Sequence, residues 1–106
     1  MNRKRVAEKF AKEAFFRFKT RVKAVILFGS VARGDAKPRS DIDLFIVWNG
    51  EKNDGWRKLE DIAFKTLLDT REYLSLKVVT PSELNRMRGN HNHFINEVYT
   101  HGIRLV

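Results

Sequence analysis

The sequence contains no cysteine, only two prolines and six glycines. Without cysteine, the protein has no disulfides, no thiolate catalysis and no zinc site built on cysteine. The longest uncharged runs are far too short to span a bilayer. Charged residues interrupt the N-terminal segment, which is not the pattern of a signal peptide. We therefore expect a cytoplasmic protein without a membrane association.

The chain of 106 residues is 42% hydrophobic, which is sufficient for one hydrophobic core. We expect a single domain over residues 1–106. The net charge of +8 is concentrated at one end, because residues 1–23 alone carry +7. Such a segment attracts phosphates, including those of RNA, but an ordinary solvated helix face has the same composition. Nucleic-acid binding is possible and is not the favoured interpretation.

The spacing of apolar residues predicts helices and strands in alternation. We expect a helix over residues 4–20, strands over 24–28, 41–47 and 73–79, and a second helix over 56–69 with Trp56 on its inner face. Thr80, Pro81 and Glu83 predict a capped helix start, and the helix is expected to break near Gly89. The order predicts a mixed α/β (α+β) fold, in which helices pack against a small mixed sheet. The first two strands are either antiparallel or parallel.

A Gly-Ser pair follows the first strand. Gly29 allows the backbone to approach a ligand closely, because it has no Cβ. Ser30 adds a hydroxyl, and the turn after it presents free N–H groups at a helix start. Together they predict a cradle for phosphate groups.

Two aspartates open the second strand ten residues later. Asp41 and Asp43 are two positions apart, so their carboxylates project from one face of the strand. Two carboxylates this close repel each other unless a cation lies between them. Oxygen ligands of this kind suit Mg²⁺ or Mn²⁺, which also bind substrate phosphates. A phosphate cradle beside such a pair predicts phosphoryl or nucleotidyl transfer.

The stretch that contains both features reads GSVARGDAKPRSDIDLFIV. It resembles the signature of the DNA polymerase β-like nucleotidyltransferase superfamily, and within it the short, single-domain minimal nucleotidyltransferases. The resemblance implies a nucleotidyltransferase-like fold and transfer of a nucleotide, AMP from ATP, to an acceptor hydroxyl. In some members the acceptor lies on a partner toxin with a helical HEPN domain, and the transferase is the antitoxin. Other relatives modify aminoglycosides.

The resemblance also assigns roles to single residues. It implies that Asp41 and Asp43 are catalytic and hold the metal. Gly29 and Ser30 would bind the triphosphate. Arg33 and Ser40 match positions of the nucleotide site, where Arg33 would steady the phosphates or the loop.

The third predicted strand departs from the family pattern, because it contains no acidic residue. Members of the family usually carry a third carboxylate there. Alternation predicts that Ser75 or Lys77 lies at that position, and Glu72 just before the strand is a weak substitute. This departure motivates an alternative function: a catalytically weak or inactive module that binds and neutralises a helical partner.

Other candidate residues are weaker. The three histidines, His91, His93 and His101, do not follow a metal-ligand spacing, so we expect a polar loop at a helix start rather than a metal site. Trp48 and Trp56 flank the loop after the second strand. Either one would be able to stack on a nucleobase, but a place at the edge of the core is the favoured interpretation.

Overall fold

The computed structural model describes residues 2–106, which form five helices and four strands. The helices are α1 (Arg3–Phe18), α2 (Gly29–Arg33), α3 (Lys52–Thr70), α4 (Pro81–Gly89) and α5 (His93–His101), and a 3-10 turn (Lys19–Arg21) follows α1. The strands are β1 (Val22–Phe28), β2 (Ile42–Trp48), β3 (Leu74–Val79) and β4 (Ile103–Arg104). Within residues 2–106, no helix is long and apolar enough to cross a membrane.

The four strands form one mixed sheet in the order β3-β2-β1-β4. β1 pairs antiparallel with β2 and with β4, whereas β2 and β3 are parallel. Because β1 and β2 run in opposite directions, the end of β1 lies beside the start of β2. Phe28 is thus the partner of Asp43. The sheet itself brings the Gly-Ser turn and the two aspartates to one edge of the fold.

Helices cover both faces of the sheet. On one face, α1 and α3 pack on a core that includes Leu27, Leu44 and Trp48. On the other face, α5 contributes Ile95 and Val98 to a second cluster, and α4 adds partly buried side chains. The predicted mixed α/β fold, with helices packed against a small sheet, is confirmed.

Helix α3 differs from the prediction. It begins at Lys52 rather than near residue 56, because the side chain of Glu51 accepts a hydrogen bond from the amide of Asn53 and caps the helix. Gly55 is a buried residue of its first turns, where an added Cβ would meet the ring of Trp48. Trp56 was predicted on the inner face, and that is wrong: it is 47% exposed.

The other helix and strand boundaries agree with those predicted from the sequence within a few residues. Thr80 and Glu83 form the predicted capping box at α4, and Pro81 is its first residue. The break near Gly89 separates α4 from α5, which ends before Gly102.

Candidate active site

The turn from β1 into α2 lies directly against Asp43. Gly29 has a φ of +74°, a left-handed conformation that favours glycine. A Cβ on Gly29 would overlap Oδ2 of Asp43 and lie 3.1 Å from its Cγ. Phe28, the N-cap of α2, provides no side-chain hydrogen bond to the helix. The backbone at Gly29 is therefore in close contact with the carboxylate of Asp43.

Asp43 and Asp41 differ in their surroundings. Asp43 is partly buried at the start of β2, whereas Asp41 lies just before the strand and is exposed. The pKa of Asp43 is raised above its ordinary value, first by burial and second by the negative charge of Asp41. The positive charge of Arg33 acts in the opposite direction. The site thus holds two interacting carboxylates, one of which is costly to ionise without a cation.

This pair suits a divalent metal. Mg²⁺ is usually bound by one or two carboxylates together with substrate phosphates, rather than by a complete protein cage. Among residues 2–106, no group of three His, Cys, Asp or Glu side chains is arranged to hold a metal ion. Asp41 and Asp43 fit a metal that shares its ligands with a substrate, because a cation would balance both the buried charge of Asp43 and the repulsion between the two carboxylates.

The remaining predicted site residues lie on α2 and the loop after it. Ser30 is the second residue of α2 and is half-buried. Arg33 is exposed, and its Nε lies 3.4 Å from Oδ2 of Asp35. The hydroxyl of Ser40 accepts a hydrogen bond of 2.9 Å from the amide of Lys37, so Ser40 helps to shape the loop that leads to Asp41.

The register of β3 shows which of the two predicted residues lies next to the aspartates of β2. Ser75 is the partner of Asp43, and Lys77 is the partner of Phe45, one full alternation further from the site. Of the two predicted alternatives, Ser75 therefore lies beside Asp43. Glu72 lies before β3, outside the part of the chain that pairs with β2.

Glu72 is instead bound by Arg3, a residue that the sequence did not single out. The Nε of Arg3 donates to Glu72 at 2.8 Å. The same guanidinium donates to the carbonyl of Lys37 at 2.7 Å and to the carbonyl of Pro38. One side chain of α1 therefore ties the loop before Asp41 to the segment before β3. No local pattern signals a contact between residues so far apart.

The two tryptophans and the histidine segment, the weaker candidates, lie in different surroundings. Trp48 is fully buried in the core, while Trp56 is exposed on α3. Asn92 caps α5, and its side chain accepts a hydrogen bond from the amide of Ile95, in agreement with the predicted polar helix start. His93 and His101 each lie 3.9 Å from Glu97 on α5.

Comparison with known proteins gives consistent results. A candidate protein adenylyltransferase of Methanocaldococcus jannaschii is 43% identical over 47 residues, which are 44% of this chain and 47% of that protein. The match thus spans about half the length of this relative. The crystal structure of a candidate nucleotidyltransferase from Sulfolobus solfataricus has a TM-score of 0.57 and 26% identity, over 77% of this chain and 70% of that one.

A toxin–antitoxin structure with AMP-PNP shares the fold at a TM-score of 0.63, with 20% identity over 93% of this chain and 72% of that one. The model of the nucleotidyltransferase domain family matches residues 7–103, almost the whole chain. That range includes the Gly-Ser turn, both aspartates and the strands β1, β2 and β3. The chain belongs to the nucleotidyltransferase domain family.

Proposed function

We propose that this protein is a metal-dependent nucleotidyltransferase that transfers AMP from ATP to a hydroxyl group of a helical, HEPN-type partner protein. The observation that carries the proposal is the contact between the Gly29 turn and the carboxylate of Asp43, with Asp41 beside it. Family membership supports the reaction class. The name of the M. jannaschii relative supports a protein acceptor, and the toxin–antitoxin neighbour with AMP-PNP supports both ATP and a partner.

Each residue has a part that follows from its position. The backbone of Gly29 and the hydroxyl of Ser30 would bind the triphosphate, and Arg33 would add positive charge beside it. Ser40 would keep the loop in the shape that presents Asp41. Asp41 and Asp43 would hold Mg²⁺ or Mn²⁺, which when bound neutralises phosphate charge and favours ionisation of the attacking hydroxyl.

The reaction is an in-line displacement at the α-phosphorus. The acceptor oxygen forms a new bond to that phosphorus, and the bond from the phosphorus to the oxygen that bridges to the β-phosphate breaks. Pyrophosphate leaves, and the hydroxyl proton passes to water. The chain contributes position and charge balance, which supply much of the catalysis in transfers of this type.

A second function is favoured by one observation, the serine beside Asp43 on β3. If the third carboxylate is essential for turnover, the protein is a catalytically weak or inactive module that binds and neutralises its helical partner. In that case the nucleotide site is a remnant, and the surface that contacts the partner performs the function.

Label transfer separates the two functions. The purified protein is incubated with ATP labelled at the α-phosphate, Mg²⁺ and the protein encoded by the adjacent gene. Transfer of label to that protein is the expected result, and it should disappear in Asp41→Asn and Asp43→Asn. Asp61→Asn is the matched control, because Asp61 is an exposed acid on α3 and is not one of the predicted site residues. A stable complex of the two proteins without transfer from any triphosphate would support the docking module instead.

A further inference from the structure

A cleft opens between α2 and α5, next to the proposed site. Its volume is about 240 Å³. Apolar side chains form much of its wall: Phe28, Ala32, Phe94 and Val98. The rings of Phe28 and Phe94 meet edge to face, with centroids 5.4 Å apart. A pocket of this size and lining suits a flat aromatic ring system.

The cleft is continuous with the residues that contact Asp43. Gly29 lines the cleft, and the same residue lies against the carboxylate of Asp43. Phe28 lines it too, and is the register partner of Asp43. A nucleotide with its phosphates at Gly29 and Asp43 therefore has its nucleoside end within reach of the cleft. Arg33 also lines the cleft, so the wall near Gly29 carries a positive charge.

One side of the cleft is polar. Glu97 and His101 both line it, one helical turn apart on α5. The Nε2 of His101 and the Oε2 of Glu97 are 3.9 Å apart, which is too far for a hydrogen bond. Their polar atoms thus remain available to a ligand between the helices. A carboxylate accepts hydrogen bonds, and an imidazole is able to donate one.

We propose that this cleft is the nucleobase subsite and that Glu97 and His101 select adenine over guanine. This inference rests on the proposed function. The 6-amino group of adenine would donate to Glu97, and a ring nitrogen would accept from His101. Guanine places a carbonyl oxygen where adenine has the amino group, so the carboxylate of Glu97 would face another acceptor. A cytosine ring would satisfy Glu97 but fill less of the cleft that Phe28 and Phe94 line.

Equilibrium binding of the Mg²⁺ complexes of ATP, GTP and CTP tests the proposal by calorimetry. The native protein should bind ATP about tenfold more tightly than GTP, the range expected for one well-placed base contact. Glu97→Gln should weaken ATP binding and make the affinities for ATP and GTP nearly equal. The amide of glutamine is able to donate a hydrogen bond to the carbonyl oxygen of guanine, which a carboxylate is not. His101→Ala should weaken ATP binding as well.

His93→Ala is the matched control. His93 lies at the same distance from Glu97, one turn on the other side, but it is 91% exposed and does not line the cleft. Its removal should leave all affinities unchanged. Equal binding of ATP and GTP by the native protein, an unchanged ratio in Glu97→Gln, or no binding of any triphosphate would overturn the proposal.

Different results of the binding experiment and the transfer assay would contradict the adenine subsite and the proposed function. Label transfer from ATP and GTP at equal rates, with equal affinities, would leave the proposed function intact and remove the adenine subsite. Selective ATP binding that depends on Glu97, without transfer to any protein, would retain the subsite and remove the enzymatic function.

Discussion

Asp43 of β2 and Ser75 of β3 are register partners in parallel strands, and their side chains leave the sheet on the same face. The position beside the more buried carboxylate of the proposed metal site is therefore occupied by a short, uncharged hydroxyl. A metal there would have two protein carboxylates, and the substrate would supply most of the remaining ligands. We expect weak metal binding in the absence of nucleotide.

Ser75→Asp should strengthen metal binding. A third carboxylate on the neighbouring strand lies about 5 Å from the pair, where attraction between unit charges is about 3 kcal/mol at an effective dielectric of 20. After the cost of charge repulsion is subtracted, Mg²⁺ affinity should rise about tenfold, equivalent to about 1.4 kcal/mol. Calorimetric titration with Mg²⁺ measures the change. Ser75→Asn introduces a side chain of the same size as aspartate but without its charge, and it should leave the Mg²⁺ affinity unchanged. An equal gain in Mg²⁺ affinity in both variants would contradict the electrostatic cause.

Gly29→Ala should damage the site more than the fold. The positive φ costs about 1–2 kcal/mol with any Cβ, and the methyl group would displace the carboxylate of Asp43. Gly34→Ala is the matched control, since Gly34 has a φ of +84° but nothing within 4 Å of the added Cβ. Urea unfolding should show similar losses for both variants. Binding of Mg²⁺ and ATP should be lost only in Gly29→Ala, and equal loss in both would contradict the specific contact.

Stability should depend on pH through Asp43. Its pKa is raised above 3.8, mainly by burial, so folding disfavours the ionised form. In the metal-free protein this cost is absent below 3.8, appears as pH rises from 3.8 to the raised value, and is fully present above it. Asp43→Asn should therefore have a higher Tm than the native protein at about pH 7, and the gap should close near pH 4.

Added Mg²⁺ should reverse that order, because only the native carboxylate pair binds the metal and is stabilised by it. Asp61→Asn, an exposed acid on α3, controls for the removal of one negative charge. A native protein that is more stable than Asp43→Asn at neutral pH without metal would show that ionised Asp43 is stabilised by the fold.

Arg3→Ala should loosen the loop before Asp41. The lost contacts are a half-buried ion pair with Glu72 and hydrogen bonds to the carbonyls of Lys37 and Pro38. Hydrogen bonds of charged groups contribute about 2 kcal/mol, so the free energy of unfolding should fall by about that amount. Amide hydrogen exchange should speed up over residues 35–40. Arg17→Ala, in an exposed pair with Glu13, should cost only about 0.3–0.5 kcal/mol and leave the loop unchanged.

Local signals in the sequence predicted much of this molecule. The capping box of Thr80 and Glu83 uses residues three positions apart, and the apolar runs of β1 and β2 are continuous, so each is readable from a short window. The predicted start of α3 was wrong for two reasons: Glu51 caps the helix earlier in the chain, and Gly55 is a packing residue rather than a turn residue. Gly55 suggests a turn by its type, but the fold requires glycine there because the ring of Trp48 occupies the space of a side chain.

The candidate site also contains residues that the sequence predicted and residues that only the structure revealed. The Gly-Ser pair and the two aspartates lie within 15 residues, and their spacing alone identified them. Whether Ser75 or Lys77 neighbours Asp43 depends on the register of parallel strands, which no spacing along the chain specifies. The cleft between α2 and α5 unites residues some 70 positions apart, and it became visible only in three dimensions.

Arg3 forms its contacts across separations of 34 and 69 residues. Contacts between distant parts of a chain form late, because the entropy of closing the intervening loops must be overcome first. The ion pair between Arg3 and Glu72 thus forms only when the segment before β3 has docked. During synthesis, a ribosome-bound chain that ends before residue 72 lacks the carboxylate that pairs with Arg3, so the guanidinium should be held less firmly against the loop until that segment has been added.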